Sequence, residues 1–318
     1  MVAMYQFNIV FGILIAFLSN YFLKGFDGIN DWRWMLGVLA IPSIIYSVMV
    51  MAVPESPRWL VSRKKDLVKA KAVMEQLGVD DADAEIKALV NAEKEMHLES
   101  GLASIFSGRY RKVMFLAFFV AFFNQLSGIN FILYYAPEIM ERAGLAAKES
   151  LFNSIAIGGT NLIFTFVGLY LIDRLGRKTL LFIGSIGYIL SLSMVAWAFY
   201  THAGSEFLLG SLLLFIAAHA VGQGAVIWVF ISEIFPNQTR AIGQSFGASI
   251  HWVFAAIITL ITPVFLDAEK GIFGKNPWPI FAFFAGMMLL QLIWVVFKMP
   301  ETKGISLEDL EKKLIKES

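Results

Sequence analysis

Residues 179–200 read TLLFIGSIGYILSLSMVAWAFY and contain no Asp, Glu, Lys or Arg. A helix rises about 1.5 Å per residue, so a helix of this length crosses the roughly 30 Å of hydrocarbon in a bilayer. The stretch lacks the alternation of polar and apolar residues that marks a strand of a membrane barrel. Because lipid offers no partner to backbone polar groups, the stretch predicts a membrane-spanning helix.

Seven other stretches share this length and uncharged, apolar character. They are residues 1–23, 34–53, 113–135, 151–172, 207–232, 245–266 and 278–297. The 318-residue chain is 58% hydrophobic and 16% charged, whereas soluble domains carry about 25% charged residues. The sequence therefore predicts an all-α integral membrane protein with eight spans.

The charge balance and the lack of cysteine exclude several kinds of function. Lys and Arg total 26 and Asp and Glu total 25, so the net charge of +1 provides no basic field for nucleic acid. Without cysteine there is no thiolate nucleophile and no cysteine-based metal site. The sequence also lacks His-Glu-x-x-His and glycine-rich phosphate motifs. We predict a protein that is not an enzyme, binds no nucleic acid and uses no metal or cofactor.

The distribution of basic residues predicts the orientation. Of the 26 Lys and Arg residues, 20 lie on the side of the membrane that holds both termini. Basic residues accumulate in cytoplasmic loops. Both termini are therefore predicted to be cytoplasmic, and the plasma (inner) membrane is the expected location.

Two related motifs follow two of the spans and predict internal repetition. Residues 54–58 read PESPR and residues 300–304 read PETKG, with six spans between them. Transporters built from repeated six-helix halves show this kind of echo. The predicted domains are two last helices of a first half (1–53), a cytoplasmic linker with short amphipathic helices (54–112), a six-helix second half (113–297) and a cytoplasmic tail (298–318).

Five motifs carry a resemblance to a known family. They are PESPRWL at 54–60, QLSGIN followed by two tyrosines at 125–135, DRLGRK at 173–178, SEIFP with Arg240 at 232–240 and PETKG at 300–304. In this order they resemble the sugar porter family of the major facilitator superfamily, which includes bacterial xylose and hexose proton symporters and glucose facilitators. The resemblance implies a truncated major facilitator fold, with helices five to twelve of twelve.

Uncharged hydrogen-bonding side chains inside the spans predict a neutral cargo. Amides donate and accept hydrogen bonds as sugar hydroxyls do, whereas an ionic cargo would require a counter-charge. The resemblance implies that Gln6, Gln125, Asn130, Asn161 and Trp228 hold the sugar, with Tyr134 and Trp252 nearby. We add Asn124, His219, Gly224 and His251 to this candidate site. The alternative is that these groups only bind one another between helices.

Local breaks and departures from the family pattern bear on this site. Gly128 predicts a break before Asn130 and Tyr134, and Gly222 and Gly224 predict another before Trp228. The family usually has glutamine at position 124, proline at 225, an aromatic residue at 219 and an amide at 251. The identity of the sugar therefore stays open. The two histidines either handle protons or make ordinary polar contacts.

Charged residues at the cytoplasmic ends of spans predict a gate. The candidates are Asp173, Arg174, Arg177, Lys178, Glu233 and Arg240. The resemblance implies that they pair when the carrier faces outward and separate when it faces inward. The alternative is that they are basic anchors with solvated partners.

Together these features predict membrane transport of a neutral monosaccharide by alternating access, proton-coupled in the full-length protein. Its partners would be the sugar, the lipid bilayer and protons. A sugar uniporter and a sugar-binding or complementing fragment without transport stay open as alternatives. The oligomeric state, the native start and the coupling mode are not fixed by the sequence.

Overall fold

The computed structural model describes residues 2–99, 108–236, 239–305 and 307–315. These residues form helices and connecting turns, and no strand occurs among them. Eight helical segments are long and apolar enough to span a membrane: Met4–Leu23, Gly28–Met51, Gly108–Tyr134, Ala147–Leu175, Arg177–Thr201, Ser205–Ile234, Arg240–Leu266 and Trp278–Phe297. The predicted all-α membrane fold is confirmed.

The helices are numbered in chain order. The first six are α1 (Val2–Leu23), α2 (Asp31–Gly37), α3 (Ala40–Met51), α4 (Pro57–Trp59), α5 (Leu67–Gln76) and α6 (Ala82–Glu99). The others are α7 (Arg111–Leu126), α8 (Ile129–Tyr134), α9 (Ala136–Arg142), α10 (Ala147–Leu175), α11 (Arg177–Thr201), α12 (Ser205–His219), α13 (Ala225–Ile234), α14 (Arg240–Leu266), α15 (Trp278–Phe297) and α16 (Leu307–Leu314).

The chain divides into two compact units. The main unit comprises Met1–Gly28 and Ile105–Ser318, and the small unit comprises Ile29–Ser104. The main unit thus groups the first span with the last six, whereas the sequence analysis placed the first two spans together. The domain boundaries derived from the sequence stay a prediction.

The small unit has a modest core of its own. Leu60, Val61, Val73 and Met74 are buried against one another where α4 and α5 meet. Helix α5 begins after Asp66, whose carboxylate accepts a hydrogen bond from the backbone N–H of Lys69. Such a cap satisfies one of the free N–H groups of a first turn.

The main unit has a continuous apolar core of large side chains. Tyr188, Phe215, Phe230 and Phe281 are fully buried there, on α11, α12, α13 and α15. Helix α1 packs closely on α10, because Gly158 leaves room for it: a Cβ at Gly158 would lie 3.2 Å from the Cα of Leu14.

Two spans of the main unit are interrupted, as predicted. Helix α7 ends before Gly128, whose φ of +82° is left-handed, and α8 starts directly after it. A Cβ at Gly128 would lie 2.7 Å from the ring of Phe284, so only glycine fits both the space and the backbone. The second break is a π-helical turn over Ala220–Gly224, between α12 and α13. π-helical turns within helices are frequent at functional sites.

Candidate functional site

A cavity of about 150 Å³ lies inside the main unit, next to both helix breaks. Its wall includes every predicted substrate-binding residue except Gln125: Gln6, Asn124, Asn130, Tyr134, Asn161, His219, Gly224, Trp228, His251 and Trp252. The remaining wall is aliphatic and consists of Ile9, Val10, Ile13, Ile129, Leu133 and Ile227. No Asp, Glu, Lys or Arg lines this cavity among the described residues.

Gln125 lies behind the wall and holds three wall residues in place. Its side-chain oxygen accepts a hydrogen bond of 3.0 Å from Asn130 Nδ2. Its amide nitrogen lies 3.0 Å from the ring nitrogens of His251 and donates to Asn124 Oδ1 at 3.2 Å. The break at Gly128 allows this, because it turns α8 so that Asn130 comes back towards the end of α7.

A buried chain of hydrogen bonds runs from the cavity into the helix bundle. Asn124 Nδ2 donates to Gln223 Oε1 at 3.5 Å, and Gln223 Nε2 donates to Gln291 Oε1 at 2.6 Å. Gln291 Nε2 then donates to Ser185 Oγ at 2.8 Å. The sequence analysis did not include Gln291, although an uncharged amide within a span was the available signal.

His219 combines a place on the cavity wall with a buried polar partner. Its Nδ1 lies 2.6 Å from the hydroxyl oxygen of Tyr188, which is fully buried. Gly224 leaves space for the imidazole, since a Cβ there would lie 3.3 Å from the ring. This contact favours the interpretation of His219 as a satisfied polar residue.

Aromatic rings form one corner of the cavity. The rings of Trp228 and His251 have centroids 5.0 Å apart, and those of His251 and Trp252 are also 5.0 Å apart. Tyr5 meets the Trp228 ring edge-on at 5.7 Å. Tyr134 and Trp252 remain 53% and 47% exposed, so this part of the wall is open.

Asn161 has an unsatisfied hydrogen-bond acceptor at the cavity. The residue is 2% exposed, and its Oδ1 has no hydrogen-bond partner within the described parts of the chain. Leaving a buried acceptor unpaired costs about 1–3 kcal/mol. A bound hydroxyl group could supply the missing donor.

A second group of polar residues, the Arg177 cluster, comprises Asp173, Arg177, Glu233, Glu301 and Thr302. Two nitrogens of the Arg177 guanidinium donate to the two Glu233 oxygens at 3.1 and 2.7 Å. Arg177 also contacts Asp173 at 3.3 Å, and Thr302 Oγ1 donates to Glu233 Oε2 at 2.7 Å. Bidentate pairs of this kind are the strongest hydrogen-bonded ion pairs.

Glu301 caps the first turn of α11. Its carboxylate accepts hydrogen bonds from the backbone N–H groups of Arg177 and Lys178 at 2.9 and 3.0 Å. Partial burial raises the pKa of the Glu301 carboxyl, but backbone N–H donors, including those of Lys303 and Thr302, outweigh it and hold the pKa below its ordinary value of 4.5. The sequence analysis quoted the motif of Glu301 and Thr302 but did not assign them to the gate.

The side chains of the other predicted gate residues do not join the Arg177 cluster. Arg174 lies over the ring of Tyr170 at 4.1 Å. Lys178 Nζ donates to the carbonyl of Val296 at 3.0 Å, and Arg240 Nε donates to the carbonyl of Phe235 at 3.4 Å. The structure thus brings together Asp173, Arg177 and Glu233 from the predicted set.

Comparison with known proteins gives a consistent family match. A family model described as "Sugar (and other) transporter" matches residues 1–314. The glucose transporter GlcP of Staphylococcus epidermidis is 33% identical over 97% of the chain and 68% of its own length. The galactose-proton symporter of Escherichia coli is 32% identical over 99% and 67%, and its D-xylose-proton symporter is 30% identical over 98% and 64%. These relatives are transporters and not enzymes, as the prediction that the chain is not an enzyme requires.

Solved structures give the same result. A partially occluded inward-open form of the xylose transporter XylE from E. coli matches with a TM-score of 0.76 and 29% identity, over 96% of this chain and 64% of that one. The proton:xylose symporter XylE bound to 6-bromo-6-deoxy-D-glucose matches with a TM-score of 0.75 and 29% identity, over 98% and 66%. The chain spans between 64% and 68% of the length of these relatives and structures.

Proposed function

The chain belongs to the sugar (and other) transporter family, and we propose from this that it binds a neutral monosaccharide in the cavity of the main unit. The observation that carries the proposal is the unpaired Oδ1 of Asn161 in a cavity without charged residues. A sugar hydroxyl would donate to this oxygen, and it would accept from other amides of the cavity wall.

The size and lining of the cavity suit a small polyol. Pockets for drug-sized ligands have volumes of about 300–1,000 Å³, whereas this cavity measures about 150 Å³. Asn130 and Gln6 add amide groups, and Trp228 offers a flat apolar face. The absence of a counter-charge among the lining residues favours a neutral cargo.

The proposed activity is alternating access, with the Arg177 cluster as the cytoplasmic lock. A switch of this kind needs a contact that exists in one state and is broken in the other, and the bidentate pair of Arg177 and Glu233 can serve as that contact. We propose from the basic-residue count that both termini are cytoplasmic, and from the bacterial relatives that the membrane is the plasma (inner) membrane. Proton coupling is proposed because several relatives are named proton symporters. Uniport, and sugar binding without transport, are the alternatives.

The test is equilibrium binding of labelled hexoses, pentoses and polyols to the purified chain. At least one neutral sugar should bind, and Asn161→Ala should weaken its binding about tenfold, the equivalent of one lost hydrogen bond of about 1.4 kcal/mol. Asn8→Ala is the matched control, because Asn8 is an exposed amide of α1 outside the cavity wall.

Two results would contradict this proposal. One is that no neutral sugar binds to the wild-type chain. The other is that Asn161→Ala binds the sugar as tightly as the wild type and the control Asn8→Ala do.

A further inference from the structure

A second cavity lies at the end of the spans where α7 begins and α15 ends. It has a volume of about 950 Å³ and is separate from the candidate sugar site. Six cationic side chains line it: Arg109, Arg111, Lys112, Lys298, Lys312 and Lys313. We call it the basic cavity.

Within the described parts of the chain, most of these cations have no acidic partner. Arg109 lies 3.8 Å from Glu311, and Lys112 donates to the backbone carbonyl of Lys313. Among the described residues, no carboxylate pairs with Arg111, Lys298 or Lys312. Like charges that share one cavity repel each other, so the basic cavity favours a bound anion.

The basic cavity also has an apolar wall. Leu116, Leu314 and Ile315 are buried along it, and Phe115 on the second turn of α7 is 44% exposed. Phe297, the last residue of α15, is 76% exposed one position before Lys298. A ligand that fills the basic cavity therefore meets both cationic and apolar side chains.

We propose that the basic cavity binds the headgroup of an anionic phospholipid, with an acyl chain lying along Phe115. Basic pockets between membrane helices on the cytoplasmic side bind such headgroups, and the basic-residue count predicts that this end is cytoplasmic. A free phosphate ion would use the cations but leave the apolar wall uncovered. This proposal does not depend on the sugar site.

The test uses the purified full chain in phosphatidylcholine nanodiscs that contain a small fraction of phosphatidylglycerol, followed by native mass spectrometry of the retained lipid. The chain should retain phosphatidylglycerol in preference to phosphatidylcholine. Removal of one cation should weaken anionic-lipid binding about fivefold, so the variant with Arg111→Gln, Lys298→Gln and Lys312→Gln should bind about a hundredfold more weakly.

Two control variants test whether the loss of lipid binding is specific to the basic cavity. The variant with Lys87→Gln, Lys270→Gln and Lys275→Gln removes the same charge from exposed positions outside it and should retain the lipid as the wild type does. The variant with Lys298→Arg and Lys312→Arg keeps the charge and should also retain the lipid. Size-exclusion chromatography checks that each variant is folded.

Three outcomes would overturn the proposal. The first is equal retention of phosphatidylglycerol by the wild type and the cavity triple variant. The second is an equal loss in the triple variant outside the cavity, which would show a response to total charge only. The third is displacement of the lipid by an equal concentration of inorganic phosphate or glycerol phosphate, which would show that the cavity takes a soluble anion.

Discussion

At the scale of single residues, the unpaired carboxamide oxygen of Asn161 is the clearest sign of a ligand. Its neighbours on the cavity wall are better satisfied: Asn130 donates to Gln125, and His219 contacts Tyr188. A buried acceptor without a donor is unfavourable. A hydrogen bond from a bound hydroxyl group is therefore expected to contribute most binding free energy at this oxygen.

Glu301 provides a prediction about pH at the same scale. Its folded-state pKa is lowered, so its stabilising effect is present above the ordinary value of 4.5 and is lost as the pH falls through the lowered folded-state pKa. We expect the wild type to lose part of its thermal stability in this acidic range, and Glu301→Gln to lose less. Melting temperatures of both proteins at neutral and acidic pH measure this.

The control for this experiment is Glu138→Gln, which removes a carboxylate paired with Arg142 outside the Arg177 cluster. If Glu301→Gln loses as much stability on acidification as the wild type, the Glu301 carboxylate does not stabilise α11.

Most residues of the cavity wall could be named from the sequence, whereas fewer members of the Arg177 cluster could be. Uncharged polar side chains within the spans, together with the resemblance to sugar porters, point to Asn130, Asn161 and Trp228. Their interpretation as ligands stays a prediction. Glu301 was missed because its contact with Arg177 joins residues 124 positions apart, and no periodicity indicates such a pairing.

At the scale of elements, the close approach of α11 and the π-helical turn after α12 depends on two facing glycines, Gly184 and Gly222. A Cβ at Gly222 would lie 2.9 Å from the Cα of Gly184, and a Cβ at Gly184 would lie equally close to Gly222. Small residues at such crossings let membrane helices pack backbone to backbone. The π-helical turn beside the cavity is held in place by this contact.

Gly222→Ala is therefore expected to destabilise the protein by about 1–3 kcal/mol, because backbone atoms must move to admit the methyl group. Gly210→Ala on α12 is the matched control, since nothing lies within 4 Å of a Cβ there. It should be neutral or slightly stabilising, by up to about 1 kcal/mol. Denaturant unfolding of both variants measures this, and equal stabilities would contradict the packing argument.

The existence of the spans was predictable, but their ends were not. The sequence analysis placed the fourth span at residues 151–172, whereas the helix covers Ala147–Leu175. Hydropathy marks only the part of a helix within hydrocarbon, and the polar turns that continue it into the interface carry no such signal. The break at Gly128 was predictable because glycine permits the left-handed backbone conformation that other residues avoid. Gly222 has no positive φ, and its break coincides instead with close packing against Gly184.

At the scale of the whole molecule, the Arg177 cluster joins α11, α13 and the segment after α15. Glu233→Gln weakens its central ion pair, so we expect the cytoplasmic side to open more often. The chain has no cysteine. Ser232→Cys, one residue before Glu233, therefore introduces a single cysteine whose labelling rate measures access from the cytoplasmic side. A water-soluble maleimide should label this cysteine faster when Glu233→Gln is also present.

Glu138→Gln again serves as the control for this labelling, because it removes a carboxylate from an ion pair outside the Arg177 cluster. It should leave the labelling rate of Ser232→Cys unchanged. Equal labelling rates with Glu233 and with Glu233→Gln would contradict the role of the cluster as a lock.

The measurement that tests the central claim most directly compares a neutral hexose with its uronic acid and its amino sugar for binding to the wild-type chain and to Asn161→Leu. A cavity without charged side chains should bind the neutral hexose and disfavour both charged analogues. Asn161→Leu should lose this binding and remain as stable as the wild type, because it removes an unpaired buried acceptor. Equal binding of a charged analogue, or unchanged hexose binding by Asn161→Leu, would contradict the account.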